Sequence, residues 1–156
     1  MAMHCADCTA CCTVFSVDSI KKAFGEPCRH LTKTPLGPGC GIYAERPVEC
    51  QHYVCLWIDS QRRSGQEMPE ALRPNVCKVV MGWPFGQDRN VLYIYPLSGH
   101  ENAWRFPPVS EHLKMILSRG GKVMVVIGQK RILLQGDTAL SGTEDEFANL
   151  LTQGDN

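Results

Sequence analysis

The chain has 156 residues, of which 44% are apolar and 21% are charged, proportions typical of a globular protein. Sixteen basic residues balance sixteen acidic ones, so the formal net charge of zero disfavours nucleic acid or an anionic membrane as a partner. No apolar run approaches the roughly 20 residues of a membrane span, and residues 1–20 lack the pattern of a signal peptide. We therefore expect a cytoplasmic protein without membrane contact.

The first third of the chain is dense in cysteine. Eight cysteines fall within 51 residues: Cys5, Cys8, Cys11, Cys12, Cys28, Cys40, Cys50 and Cys55. In a reducing compartment, clustered thiols indicate a metal site more often than disulfides. Thiolates are soft ligands that select zinc, copper(I) or iron–sulfur clusters. We therefore predict that residues 5–55 wrap one or two metal centres. A disulfide framework is the alternative, which the missing export signal and the adjacent Cys11 and Cys12 disfavour.

The first cysteine run has two interpretations. If it is helical, Cys5, Cys8 and Cys12 share a face about 60° wide, and Cys11 lies about 120° from Cys5. If it is a loop, Cys5, Cys8 and Cys11 are spaced like the runs that wrap iron–sulfur clusters. The sequence leaves both open.

The following segments are predicted to bring further cysteines together. A short helix is expected after Ser16, with Gly25 as its stop. Proline and glycine between residues 35 and 39 predict a turn that brings Cys28 and Cys40 near each other. Pro47 suits the start of a short helix, with a turn or helix end between Cys50 and Cys55. We expect the three residues after Cys55, which are Leu56, Trp57 and Ile58, to pack over the metal region.

The remainder predicts a small α+β layer. Residues 61–75 are a connector with a helical turn at 69–73, and residues 76–96 suggest two strands around a loop. Residues 97–107 are a loop in which Trp104 and Phe106 pack locally. A helix at 109–119, a hairpin at 122–128 and 131–135, and a short helix at 142–152 complete the pattern. The fold class is therefore α+β, with a metal-stapled cysteine-rich region (1–60) packed on an α+β region (61–156) as one compact unit.

The cysteine pattern resembles a known family. The order Cys-x2-Cys-x2-Cys-Cys, then Cys-Arg-His-Leu, then Gly-Cys-Gly-Ile-Tyr-x2-Arg-Pro-x2-Cys-x4-Cys, is similar to the CxxCxxCC (YkgJ-like) cysteine cluster family, described as a zinc- or iron-chelating domain. The resemblance covers about residues 5–58. It implies that all eight clustered cysteines are metal ligands. Gln51 stands where members of that family often have arginine. Flagellin lysine methylases carry a similar cysteine run, which keeps an enzymatic association open.

Several arrangements of the eight thiols remain open. They could form two four-thiolate zinc sites, one [4Fe–4S] cluster with four thiols left over, or one centre of each kind. The first hypothesis is a zinc- or iron-chelating protein with a structural or accessory role. The alternative is an iron–sulfur enzyme or electron-transfer component, although no catalytic constellation is identified and no protein partner is indicated.

Residues around the cysteines have weaker predictions. His4, His30 and His52 could be ligands or could hydrogen-bond a sulfur, but solvated or packed side chains are favoured. Arg46 could offset thiolate charge or lie at the surface. Cys77 is predicted to be a buried thiol. The basic pairs Lys21-Lys22 and Arg62-Arg63 are predicted to be solvated.

Overall fold

The computed structural model of the protein describes residues 8–34, 37–83 and 90–143. Five helices lie in these ranges: α1 (Ala10–Val14), α2 (Val48–His52), α3 (Leu56–Gln61), α4 (Pro74–Cys77) and α5 (Val109–Ser118). Seven strands accompany them: β1 (Leu31–Thr34), β2 (Gly37–Cys40), β3 (Val79–Gly82), β4 (Val91–Pro96), β5 (Lys122–Ile127), β6 (Lys130–Gln135) and β7 (Thr138–Thr143). Single 3-10 turns occur at Asp18–Ile20, Tyr43–Glu45, Glu70–Leu72 and Ala103–Arg105. The predicted α+β class is confirmed.

A five-stranded sheet in the order β3-β4-β5-β6-β7 forms the centre of the fold. Only β4 and β5 pair in parallel, with Ile94 opposite Val125, and the other neighbours are antiparallel. A parallel pair needs a long crossover connection, and α5 lies within the one that joins these two strands. Strands β5, β6 and β7 follow one another as a meander.

Alternating side chains divide the sheet into two buried faces, as the pleat of a strand requires. Leu92, Ile94, Val123 and Val125 point into the main core, which α5 covers through Val109 and Leu113; Trp104 joins the same cluster. Their neighbours along the strands form a second cluster on the other face, made of Val91, Met124, Val126 and Leu133. Strands that are buried on both faces have continuous apolar sequences rather than alternating ones. This explains why apolar residues follow one another in the Lys-Val-Met-Val-Val-Ile sequence of β5.

Helix α5 follows the apolar spacing of its sequence. Val109 and Leu113 are buried, and Ile116 and Leu117 pack partly against the same core. The chain leaves the helix at Gly120, whose φ of +82° favours glycine. Four predictions are confirmed: this helix, the β3–β4 pair, the β5–β6 hairpin and a helical turn at 69–73.

The cysteine-rich segment packs on the edge strand β3. Ala10 and Val14 of α1 contact Val80, whose side chain is 1% exposed. The Phe15 ring lies 4.5 Å from the ring of Tyr53 and 4.7 Å from that of Tyr95, measured between centroids. Leu56 and Trp57 pack against the main core and Ile58 is buried; that these three residues cover a metal region stays a prediction.

Three further predictions about secondary structure differ from the fold. Residues 16–25 do not form a regular helix, because Val17 and Lys22 close an antiparallel bridge around one 3-10 turn. Residues 142 and 143 belong to β7, which the sequence did not indicate, and the rest of the predicted helix at 142–152 lies outside the described residues. Trp104 packs into the main core rather than locally, whereas Phe106 is 62% exposed. No helix in the described ranges is long and apolar enough to cross a membrane.

Trp104 and Phe106 offer a test of the main core. Trp104→Ala removes a large side chain that is 8% exposed, so we expect it to lower the free energy of unfolding by about 3–5 kcal/mol. Phe106→Ala, two residues away, removes an exposed ring and should change that free energy by about 0.5 kcal/mol or less. Urea unfolding followed by circular dichroism measures both. Similar losses in the two variants would contradict the placement of Trp104 in the core.

Candidate metal centre

Four separate segments bring cysteines close enough to one another to interact electrostatically. They are α1 with Cys12, the start of the β1–β2 hairpin with Cys28, the end of that hairpin with Cys40, and α2 with Cys50. We call these four residues the thiol cluster. Cys5 lies outside the described residues.

Helix α1 places the first member of the thiol cluster. The helix begins after Cys8, so Cys8 precedes it and Cys11 and Cys12 lie in its first turn. Neither a continuous helix through Cys8 nor a loop through Cys11 is therefore present. Ala10 and Val14 face the sheet, which leaves Cys11 and Cys12 half-buried at the edge of that contact.

The β1–β2 hairpin joins the second and third members. The Cys28 N–H donates to the carbonyl of Cys12 at 3.0 Å, which ties the hairpin to α1. Leu31 donates to the Cys28 carbonyl at 3.1 Å and is paired with Cys40 across the hairpin. The two arms therefore bring Cys28 and Cys40 together, as the sequence predicts. A Cβ at Gly41 would lie 3.1 Å from the His30 carbonyl oxygen, so only a small residue fits beside Cys40.

Helix α2 brings the fourth member. It begins at Val48 after Pro47 and ends at His52, so a helix end separates Cys50 from Cys55, as predicted. The Ser19 hydroxyl donates to the Glu49 carboxylate at 3.3 Å and links α2 to the segment after α1. Burial raises the pKa of Cys50, and the neighbouring thiols of Cys12, Cys28 and Cys40 raise it further. All four sulfurs therefore share one electrostatic environment.

A buried lysine lies beside the thiol cluster. Lys22 is 8% exposed, and its ammonium donates to the carbonyl of Phe15 and, at 3.3 Å, to that of Ala23. Burial lowers the pKa of Lys22, whereas the thiols of Cys28 and Cys12 oppose that shift. The prediction that Lys22 is solvated is wrong, because the Val17–Lys22 bridge turns its side chain inward, while Lys21 next to it stays exposed.

Two groups lower the pKa of Cys12. The Cys11 thiol hydrogen-bonds the Cys12 sulfur, and this bond lowers the pKa of Cys12 to about 7; Lys22 acts in the same direction, and burial opposes both. A thiolate is the form that binds metals and reacts with electrophiles. Cys12 is therefore more readily a thiolate near neutral pH than an ordinary cysteine.

The other cysteines lie towards the sheet. Cys8 and Cys55 pack against the contact of Ala10 and Val14 with Val80. The Cys77 thiol donates to the carbonyls of Leu72 at 3.5 Å and Val79 at 3.4 Å, and burial raises its pKa. Cys77 is therefore half-buried rather than fully buried as the sequence predicts, and its thiol is satisfied by backbone carbonyls. None of the eight described cysteines forms a disulfide.

The other predicted neighbours of the site are placed as follows. His4 lies outside the described residues, His30 accepts a hydrogen bond from Arg29 at 3.4 Å, and His52 is exposed at the end of α2. The Arg46 guanidinium stacks on the Tyr43 ring at 4.0 Å and donates to the Tyr43 carbonyl, at the surface. The Gln51 amide donates to the Arg46 carbonyl at 2.7 Å, so it steadies that turn.

The thiol cluster offers the type and number of ligands that a soft metal takes, namely four thiols. One of them has a low pKa, and a cation lies beside them. In the described part of the chain, however, no three side chains of His, Cys, Asp or Glu are arranged so that they could hold a metal ion. Binding by the thiol cluster would therefore require its side chains to draw closer together.

Comparisons with protein-family models, with curated proteins and with solved structures found no match for this chain. The resemblance to the CxxCxxCC family therefore stays a prediction that depends on the cysteine pattern.

The low pKa of Cys12 predicts selective chemistry in reduced, metal-free protein. Alkylation of Cys12 by iodoacetamide should rise with pH through a midpoint of about 7, because only the thiolate reacts. Cys50 should react only at higher pH, because its pKa is raised. Brief alkylation over a range of pH, followed by tandem mass spectrometry of peptides, measures both residues in one sample. A shared midpoint for Cys12 and Cys50 would contradict the hydrogen bond from Cys11.

Proposed function

We propose that the protein binds zinc or iron through the thiolates of Cys12, Cys28, Cys40 and Cys50, and that the metal has a structural or accessory role. The observation that carries this proposal is the burial of Lys22 against the thiol cluster. A buried ammonium is costly unless an anion compensates it. Thiolates are the anions that its surroundings offer, apart from the exposed Glu26.

The charge balance supports metal binding rather than four neutral thiols. Four thiolates on a divalent metal leave a net charge of −2, which nearby cations and hydrogen-bond donors stabilise. Lys22 supplies one such cation, and the Cys11 thiol supplies a donor to Cys12. Without an anion nearby, a position this buried would favour an apolar residue over lysine.

A bound metal would supply cross-links that the local fold lacks. Among the described residues between 16 and 55, Val17 is the one buried apolar side chain. The elements around Cys28, Cys40 and Cys50 are short: two four-residue strands and one five-residue helix. Small metal-bound regions obtain much of their folding free energy from the metal. We infer a structural centre, in a compartment such as the cytoplasm that keeps thiols reduced.

The remaining cysteines define the second part of the proposal. Cys8 and Cys55 pack in one cluster, against Ala10, Val14 and Val80. With Cys11, and with Cys5 outside the described residues, they are the candidate ligands of a second centre. Cys77 is excluded because both of its hydrogen bonds go to backbone carbonyls.

The first test is the metal content of protein purified without oxygen. Cys28→Ser and Cys40→Ser should each lose bound metal, because each removes a thiolate of the cluster. Cys77→Ser is the matched control and should retain the full amount, since its thiol bonds Leu72 and Val79 instead. Elemental analysis with a sulfide assay and a visible spectrum identifies the metal. Zinc supports the structural role; iron with labile sulfide would favour the electron-transfer alternative; full metal content in both cluster variants would refute the proposal.

A second test addresses the cation. Lys22→Met should weaken metal retention by about 10–100-fold, the range found when groups that support metal ligands are removed. Lys21→Met is the matched control, because Lys21 is adjacent in sequence but exposed. Competition with a chelator of known affinity measures both variants. Equal retention by the two would mean that Lys22 does not compensate the charge of the thiolates.

A further inference from the structure

A cleft lies between α3 and α5. It is bounded by α3, by α5 and by the first residues of β4 and β5, and its volume is about 620 Å³. Small-molecule sites in proteins usually measure about 300–1,000 Å³. The cleft is therefore large enough for an organic molecule, and no cysteine lines it.

One wall of the cleft is apolar and continuous with the main core. Leu56, Leu92 and Ile116 belong to that core, and Met68 and Met115 extend the wall towards the surface. Methionine side chains are flexible and adapt to ligands of different shapes. This wall suits a hydrocarbon or aromatic body.

The rim of the cleft is positively charged. Arg63 is paired with Asp59 at 2.7 Å, so that pair contributes no net charge. Arg119, just after α5, and Lys122, at the start of β5, also line the cleft. Within the described ranges neither of these two side chains has an ion pair or a hydrogen bond. Burial lowers the pKa of His112, which also lines the cleft, so this imidazole adds a polar atom but no charge at neutral pH.

The two unpaired cations outweigh the opposing field of the helix. The carboxyl end of α5 points to this rim, and a helix end carries the equivalent of about half a negative charge. The two full positive charges of Arg119 and Lys122 are larger than this partial negative charge. A ligand with one anionic group at the rim and an apolar body on the wall would match both features.

We propose that this cleft binds a small organic acid with an apolar body, whose carboxylate pairs with Arg119 and Lys122. The proposal is independent of the thiol cluster and of any metal. It assigns the ligand by its chemistry, an amphipathic monoanion.

Octanoate and 1-octanol form a matched pair of probes, since they share a chain length and differ in charge. With full-length protein as purified, octanoate should bind more tightly than 1-octanol in calorimetric titration. Amide shifts in NMR spectra should change at residues 56–68 and 112–122. The double variant Arg119→Gln, Lys122→Gln should weaken octanoate binding by about fivefold, since each partly exposed ion pair contributes modestly, and should leave 1-octanol binding unchanged.

A second double variant controls for net charge and for folding. Lys114→Gln, Lys130→Gln removes the same charge from exposed residues that do not line the cleft, and it should bind octanoate like the wild type. Circular dichroism checks that both variants fold. The proposal is overturned if octanoate does not bind, if it binds no better than 1-octanol, if its shifts map elsewhere, or if both double variants weaken it equally.

Discussion

Burial of β3 on both faces is the constraint on which the arrangement of the chain depends. It is an edge strand of the sheet, yet all four of its residues are buried. Val79 and Met81 face the main core, and Val80 faces α1. The position of Gly82 has no room for a side chain either, because a Cβ there would lie 2.7 Å from the Tyr53 hydroxyl. The cysteine-rich segment therefore covers one face of the sheet at Val80, and the sheet in turn supports α1.

The thiol cluster and its lysine depend on each other in the same way. Desolvation alone would drive Lys22 to lose its proton and Cys50 to keep its own. The thiols of Cys28 and Cys12 offset part of this cost for Lys22, and Lys22 in turn lowers the pKa of Cys12. The segment from Phe15 to Ala23 serves this arrangement, because its carbonyls hold the ammonium in place.

The sequence predicts those parts of the molecule that local patterns determine. The spacing of Val109, Leu113 and Ile116 predicts α5, and the turn-rich stretch between Cys28 and Cys40 predicts their approach. Contacts between distant segments override the local pattern elsewhere. The spacing of Val17 and Ile20 looks helical, but Lys21 takes a φ of +53° and the chain turns back on itself. Strand β7 forms because it pairs with β6, and Lys22 is buried because α1 and the hairpin come together around it. Neither feature can be predicted from a short stretch of the sequence.

The position of β3 in the chain has a consequence for biosynthesis. Every clustered cysteine precedes residue 56, whereas the strand on which their segment packs spans residues 79–82. A ribosome adds roughly 5–20 residues per second, so the last of these thiols is made a second or more before its support is complete. During that interval the cysteines are open to oxidants and to metal ions alike. If the thiol cluster binds metal as proposed, a metal captured then would hold the nascent segment in order until β3 and β4 arrive.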